Sequence, residues 1–161
     1  MKTTLVHALL VSAVLLAGCA TTPVSNPLDP TAKKFQPAPG KASLYITREG
    51  DVGSGEMILQ AVLDGRTAGL LPAGTYQWIT VDPGDHALTL NIQSGEQESL
   101  PSGQFKYAVP VTFTARAGEN CFFRASLRLG WAKAQLNLVP VGSQEGRKNV
   151  TASRLAPAPA N

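Results

Sequence analysis

An all-β fold, with two sheets packed face to face, is the class this 161-residue sequence predicts. Three observations carry it. Aromatic residues make up 6% and charged residues 16% of the chain, while glycine and proline number 15 and 12, which suits short strands and turns better than helices of period 3.6. Apolar residues alternate with period two over several stretches. The cleanest runs from Asn120 to Leu129, with Cys121, Phe123, Ala125, Leu127 and Leu129 in the inward phase and Phe122, Arg124, Ser126 and Arg128 in the outward one. Turn signals separate such stretches at roughly 8 to 12 residues, the rhythm of a sandwich or small barrel.

Taken in order, Ala42 to Arg48 alternates Leu44 and Ile46 against Tyr45 and Thr47 and forms the first strand. A flexible acidic loop follows over 49–56. Strands over Ile58 to Leu63 and Arg66 to Leu71 flank Asp64-Gly65, a dipeptide that tolerates the positive φ of a two-residue hairpin turn. After the Pro72-Ala73-Gly74 turn comes a strand over Thr75 to Val81, then the turn Asp82-Pro83-Gly84-Asp85, in which Pro sets φ. His86 to Gln93 places Leu88, Leu90 and Ile92 on one face, and a polar loop spans Gly95 to Gly103. Lys106 to Ala115 is a strand that Pro110, lacking a ladder donor, confines to an edge or bulge. Asn120 to Leu129 and Gln135 to Val141 complete a set of about eight short strands. The expected architecture is an immunoglobulin-like antiparallel β-sandwich over residues 41–145.

The flanks differ in character. Lys2 precedes an apolar run, Leu5 to Leu16, that is shorter than the roughly 18 residues of a spanning helix, so residues 1–18 read as a signal peptide. That run ends in Leu16-Ala17-Gly18-Cys19, which resembles the lipobox of bacterial lipoproteins at every position. The resemblance implies cleavage before Cys19, diacylglyceryl transfer to its thiol and, in most such proteins, acylation of the new amine, typically with palmitate. Several chains make the anchor stable where one would not. Residue 20 is Ala rather than the Asp that commonly retains such proteins at the inner membrane, so the resemblance implies the outer membrane, facing the periplasm. Residues 19–40 carry Pro23, Pro27, Pro30, Pro37 and Pro39 without apolar periodicity. They read as an extended tether able to reach on the order of 65 Å. Residues 146–161 read as a flexible tail.

Five further stretches, Ala42-Ser-Leu-Tyr-Ile-Thr-Arg48, Val62-Leu-Asp-Gly-Arg66, Gly74-Thr-Tyr76, Val81-Asp-Pro-Gly-Asp-His86 and Ala117-Gly-Glu-Asn-Cys-Phe-Phe-Arg124, resemble a family of small bacterial lipoproteins whose shared domain has no known function. The likeness runs from about Lys41 to Val150. Its motifs are turn and strand chemistry, and it supplies no catalytic residues.

Charge adds exclusions. The net charge is +3, near +2 without Lys2, and no dense Lys/Arg block suggests nucleic acid. With Cys19 carrying lipid, Cys121 has no partner for a disulfide. Asp82, Asp85 and His86 are close in sequence, yet two carboxylates beside a Pro-Gly turn are better read as local hydrogen-bond acceptors than metal ligands, and His86 as a strand-start residue bonded to a backbone carbonyl. Cys121 and His86 are the thiol and imidazole of the mature chain, but an inward thiol is a structural residue rather than a nucleophile. Gly53-Ser54-Gly55 lacks the spacing of a nucleophile elbow. Tyr76 and Trp78 alternate on one strand and read as core. Phe122, Arg124, Ser126 and Arg128, with Trp131 and Lys133 beyond them, form the candidate contact surface. The sequence is therefore expected to encode a non-enzymatic, cofactor-free module, anchored to the membrane by its N-terminal lipid. Its expected partner is an envelope protein or, alternatively, peptidoglycan.

Overall fold

The computed structural model describes residues 25–50, 57–93, 105–106, 110–129 and 134–157. Ten strands lie among them: β1 (Ala42–Arg48), β2 (Leu59–Leu63), β3 (Arg66–Leu71), β4 (Thr75–Val81), β5 (Gly84–Ile92), β6 (Phe105–Lys106), β7 (Val111–Ala115), β8 (Asn120–Leu129), β9 (Ala134–Pro140) and β10 (Arg154–Leu155). Two short helices, α1 (Asp29–Ala32) and α2 (Ser143–Ala152), flank them. One sheet has the order β10-β4-β1-β8-β9-β6 and the other β3-β2-β5-β7. The sandwich is as expected, but the strand expected over Lys106 to Ala115 is divided: Phe105–Lys106 is β6 in the larger sheet and Val111–Ala115 is β7 in the smaller, while the two-residue β10 is an addition. The signal peptide with Cys19, the Gly53-Ser54-Gly55 loop, the 95–103 loop, Trp131 and Lys133 lie outside the described residues.

The turns obey their sequence chemistry. Asp64 and Gly65 both take positive φ, 50° and 77°, and join β2 to β3 antiparallel. Pro110 immediately precedes β7, an edge strand, so its missing N–H leaves no central ladder incomplete. Purely antiparallel pairing does not hold. β1 pairs parallel to β8, β10 parallel to β4 and β6 parallel to β9. Alternation assigns a residue to a face and is silent on strand direction, so these pairings had no sequence signal.

Between the sheets, Leu44, Ile46, Leu59, Leu71, Leu88, Leu90, Phe123 and Leu127 form the main core, with Cys121 packed at its margin. Full burial of each aliphatic side chain stabilises the fold by about 1.5–3 kcal/mol. Arg48 follows Leu44 and Ile46 in the inward phase and is 0% exposed. Its Nη1 donates to the carbonyls of Leu71, at 3.0 Å, and Met57, so a cation closes this end of the core with polar partners in place.

β1 is buried along its whole length, on both faces. The second covering comes from the flanks. Ala32, Tyr45, Tyr76, Phe122, Val150 and Leu155 make a separate core on the outer face of the larger sheet, with Phe35 packed against it. Tyr45 stacks on Phe122 at 5.1 Å between ring centroids and Phe35 lies 5.4 Å from Tyr45. This corrects both flank readings. Residues 26–35 are folded onto the domain rather than extended, and residues 143–157 form α2 and β10 rather than a loose tail. Prolines did not prevent the first: Pro30 sits in the opening turn of α1, where no N–H is required.

Helix α2 approaches β8 through Gly146, whose Cβ, if present, would lie 2.2 Å from Cγ of Phe122. A mid-helix glycine costs about 1 kcal/mol relative to alanine in an exposed helix, and close seating on the ring offsets that cost here. Gly146→Ala is therefore expected to destabilise the domain by about 1–3 kcal/mol in urea denaturation, as overpacking does. A variant as stable as the parent would mean that α2 is not seated on Phe122.

Candidate functional site

The outward phase of β8 divides into two halves. Phe122 is 4% exposed beneath α2, so it belongs to the second core and not to a contact surface, a correction that follows from the helix the sequence did not announce. Arg124 remains outside, donating from Nη1 to Oε1 of Glu145 at 3.0 Å. The two side chains are 42% and 48% exposed, so this pair contributes little to stability and leaves the guanidinium available. Arg128 is exposed in register with Gln135, whose Nε2 donates to Oδ1 of Asn137 at 2.9 Å. Val139, opposite Arg124, is 40% exposed. The part of the sheet that α2 leaves open is thus a polar face bearing Arg124, Ser126, Arg128, Gln135 and Asn137 with one apolar residue. It can donate hydrogen bonds to carboxylates or carbonyls of a partner.

At the turn joining β4 to β5, His86 is held as the sequence suggests and by one partner more. Its Nε2 lies 2.9 Å from the carbonyl oxygen of Asp82 and its Nδ1 2.7 Å from Oδ2 of Asp64. Both partners are acceptors, so the ring satisfies them together as the imidazolium, and the bond to Asp64 followed by that to Asp82 raises the His86 pKa. Asp64 in turn accepts the Ala87 N–H, which with His86 holds its carboxyl below the usual range. Asp82 pairs with Lys41, and Asp85 accepts from Oγ1 of Thr114 at 2.6 Å. Each carboxylate thus serves a local bond, and among the described residues no three His, Cys, Asp or Glu side chains are grouped to hold a metal. An open depression of about 450 Å³ at the β2–β3 hairpin is lined by Leu63, Asp64, Arg66, Thr67 and Ala68.

Cys121 is half-buried, and burial together with Glu119 pushes its thiol pKa up, away from the thiolate. Tyr76 is fully buried and Trp78 partly so, both in the second core.

One junction carried no sequence signal. The Asp29 carboxylate accepts from the Tyr76 hydroxyl at 2.9 Å, the Leu155 N–H at 2.8 Å and Lys33 Nζ at 2.9 Å. Burial pushes this carboxyl up, but the three donors outweigh it and hold the pKa below the ordinary value. Lys33 also donates to the Ser153 carbonyl, and Asn26 Nδ2 to that of Ala156, both at 2.8 Å. Tyr45 donates to the Ala32 carbonyl, and burial moves its own pKa up to about 12. The aspartate sits between two prolines, a setting that reads as linker, and two of its three partners lie 47 and 126 residues away.

No family model matches the chain and no curated protein matches it, so the likeness to small lipoproteins rests on the quoted motifs alone.

A raised folded pKa means that the His86 contribution is fully present below the unfolded value, about 6.5, and is lost as pH rises through the folded value. An NMR titration of His86 is expected to give a midpoint above 6.5, falling back toward it in Asp64→Asn. A midpoint at or below 6.5 in the parent chain would contradict the doubly bonded ring.

Proposed function

We propose that this protein is a non-enzymatic lipoprotein of the bacterial cell envelope, anchored through acyl chains on Cys19, whose sandwich serves as a protein-binding or accessory module. The observation that carries the reading is the sequence Leu16-Ala17-Gly18-Cys19 after a short apolar run, set before a segment that is folded onto the domain from Asn26. Lipid on Cys19 would hold the sandwich through its own second core. No helix among the described residues is long and apolar enough to cross a membrane. Retention as an outer-membrane protein facing the periplasm follows from Ala20 in the same resemblance.

The reactive groups support binding over catalysis. The Cys121 thiol is biased toward its protonated form, and His86 has both ring nitrogens engaged. The open face of β8 and β9 is the surface for a partner, with Arg124 and Arg128 as its donors. Paired guanidinium and amide groups also suit the carboxylates of peptidoglycan, which is the second reading.

In cells, Cys19→Ser is expected to abolish fatty-acid labelling and release the protein from membranes; a labelled, membrane-bound variant would contradict the anchor. Arg124→Ala with Arg128→Ala is expected to remove the partner in envelope crosslinking while changing stability by no more than about 0.5 kcal/mol per site. Loss of sedimentation with purified peptidoglycan in the same variant would favour the glycan reading.

A further inference from the structure

We infer that the layer formed by α1 and α2 is the face the domain turns toward the bilayer, with Lys34 and Lys148 resting on anionic phospholipid headgroups. The inference rests on the Cys19 anchor proposed above. Few residues separate Cys19 from the docked segment. Ala20 to Ser25 are the six residues between Cys19 and Asn26, and Asn26 is bonded to Ala156. Fully extended, that leash spans about 25 Å, against the 65 Å available had residues 20–40 been loose. A domain of this size has a radius of gyration of about 14 Å, so the leash is no longer than the domain is wide. The end that receives it stays close to the membrane.

Which end receives it is set by the fold. Residues 26–35 enter along β10, an edge strand of the larger sheet, and run across its outer face beside α2. The open face around Arg128 and Asn137 lies on the same outer side of that sheet, beyond α2 and toward the edge that carries β9 and β6.

Charge selects the same surface. Residues 25–40 and 141–157 carry Lys33, Lys34, Arg147, Lys148 and Arg154 against Asp29 and Glu145, a balance of +3. Residues 41–140 carry eight Lys or Arg against nine Asp or Glu, a balance of −1. Two of the five cations have structural duties: Lys33 bonds Asp29 and Ser153, and the Arg147 guanidinium lies 4.5 Å above the Phe35 ring. Lys34, after α1, and Lys148, in α2, are exposed, whereas Arg154 precedes Leu155 in β10 and so projects from the opposite face of the sheet. A cation held within a Debye length of an anionic leaflet, about 8 Å at physiological salt, raises membrane partitioning about fivefold. A leash of about 25 Å lets Lys34 and Lys148 reach that range.

The test is lysine footprinting of the full lipidated protein, reconstituted into phosphatidylcholine vesicles with or without phosphatidylglycerol and treated with an amine-acetylating reagent. Acetylation of Lys34 and Lys148 is expected to slow at least about fivefold in the anionic vesicles, the effect of one cation, while Lys41 is unchanged. Lys148→Gln should weaken the protection of Lys34 by a similar factor. Equal rates in both vesicles, or protection of Lys41 instead, would overturn the inference. So would protection that occurs only in native envelopes, which would assign the layer to a protein. Mass spectrometry of the N-terminal peptide separates the two levels: a lipidated Cys19 with unprotected Lys34 and Lys148 sinks the orientation alone, and an unlipidated Cys19 sinks the anchor with it.

Discussion

A strand buried on both faces needs two separate apolar surfaces to cover it, and β1 is such a strand. Leu44 and Ile46 are covered by the second sheet. Tyr45, on the opposite face, has no sheet above it and is enclosed by Phe122, Tyr76, Phe35, Ala32 and Val150. A two-layer sandwich would leave this ring in water, so the chain supplies a third, partial layer from its own two flanks. Arg48 at the end of the same strand extends the constraint. A buried guanidinium is tolerable only while the carbonyls of Leu71 and Met57 are in place, so the end of β1 depends on the segments leading into β2 and out of β3.

The third layer is held by polar geometry as much as by apolar burial. Asp29 gathers donors from β4, from β10 and from the turn after α1, tying the first described residues to the last. Phe35 accepts a positive φ of 55°, uncommon for a residue with a side chain, while its ring reaches the aromatic cluster and its carbonyl meets Nδ2 of Asn120. A strap that was merely draped over the sheet would not hold a strained backbone in place. The same arrangement links fold to the proposed role, because the segment that leads to Cys19 is part of the core it would anchor.

Much of the sandwich was legible in the sequence. The bounds of β1, β3, β4 and β8 follow directly from alternation and turn chemistry, and the Asp64-Gly65 turn and the His86 bond to a backbone carbonyl follow from side-chain preferences. The flanks were not legible, for physical reasons. α2 buries only Gly146 and Val150, one of them without a side chain, so it has no apolar stripe to detect. The strap is rich in proline because proline suits both an extended linker and the first turn of a helix, and composition cannot separate the two. The candidate contact surface shows the consequence. Phe122, Arg124 and Arg128 share one phase of β8, but a helix invisible to alternation buries the first and leaves the others at the surface.

Native-state hydrogen exchange of the amide of Leu155, which donates to the Asp29 carboxylate, tests the third layer most directly. This amide, together with those of Ala32 and Phe35, is expected to exchange with the slow opening of the domain, close to the rates of β1. Exchange of these amides at the rate of an unstructured chain while β1 stays protected would show that the flanks are not part of the fold.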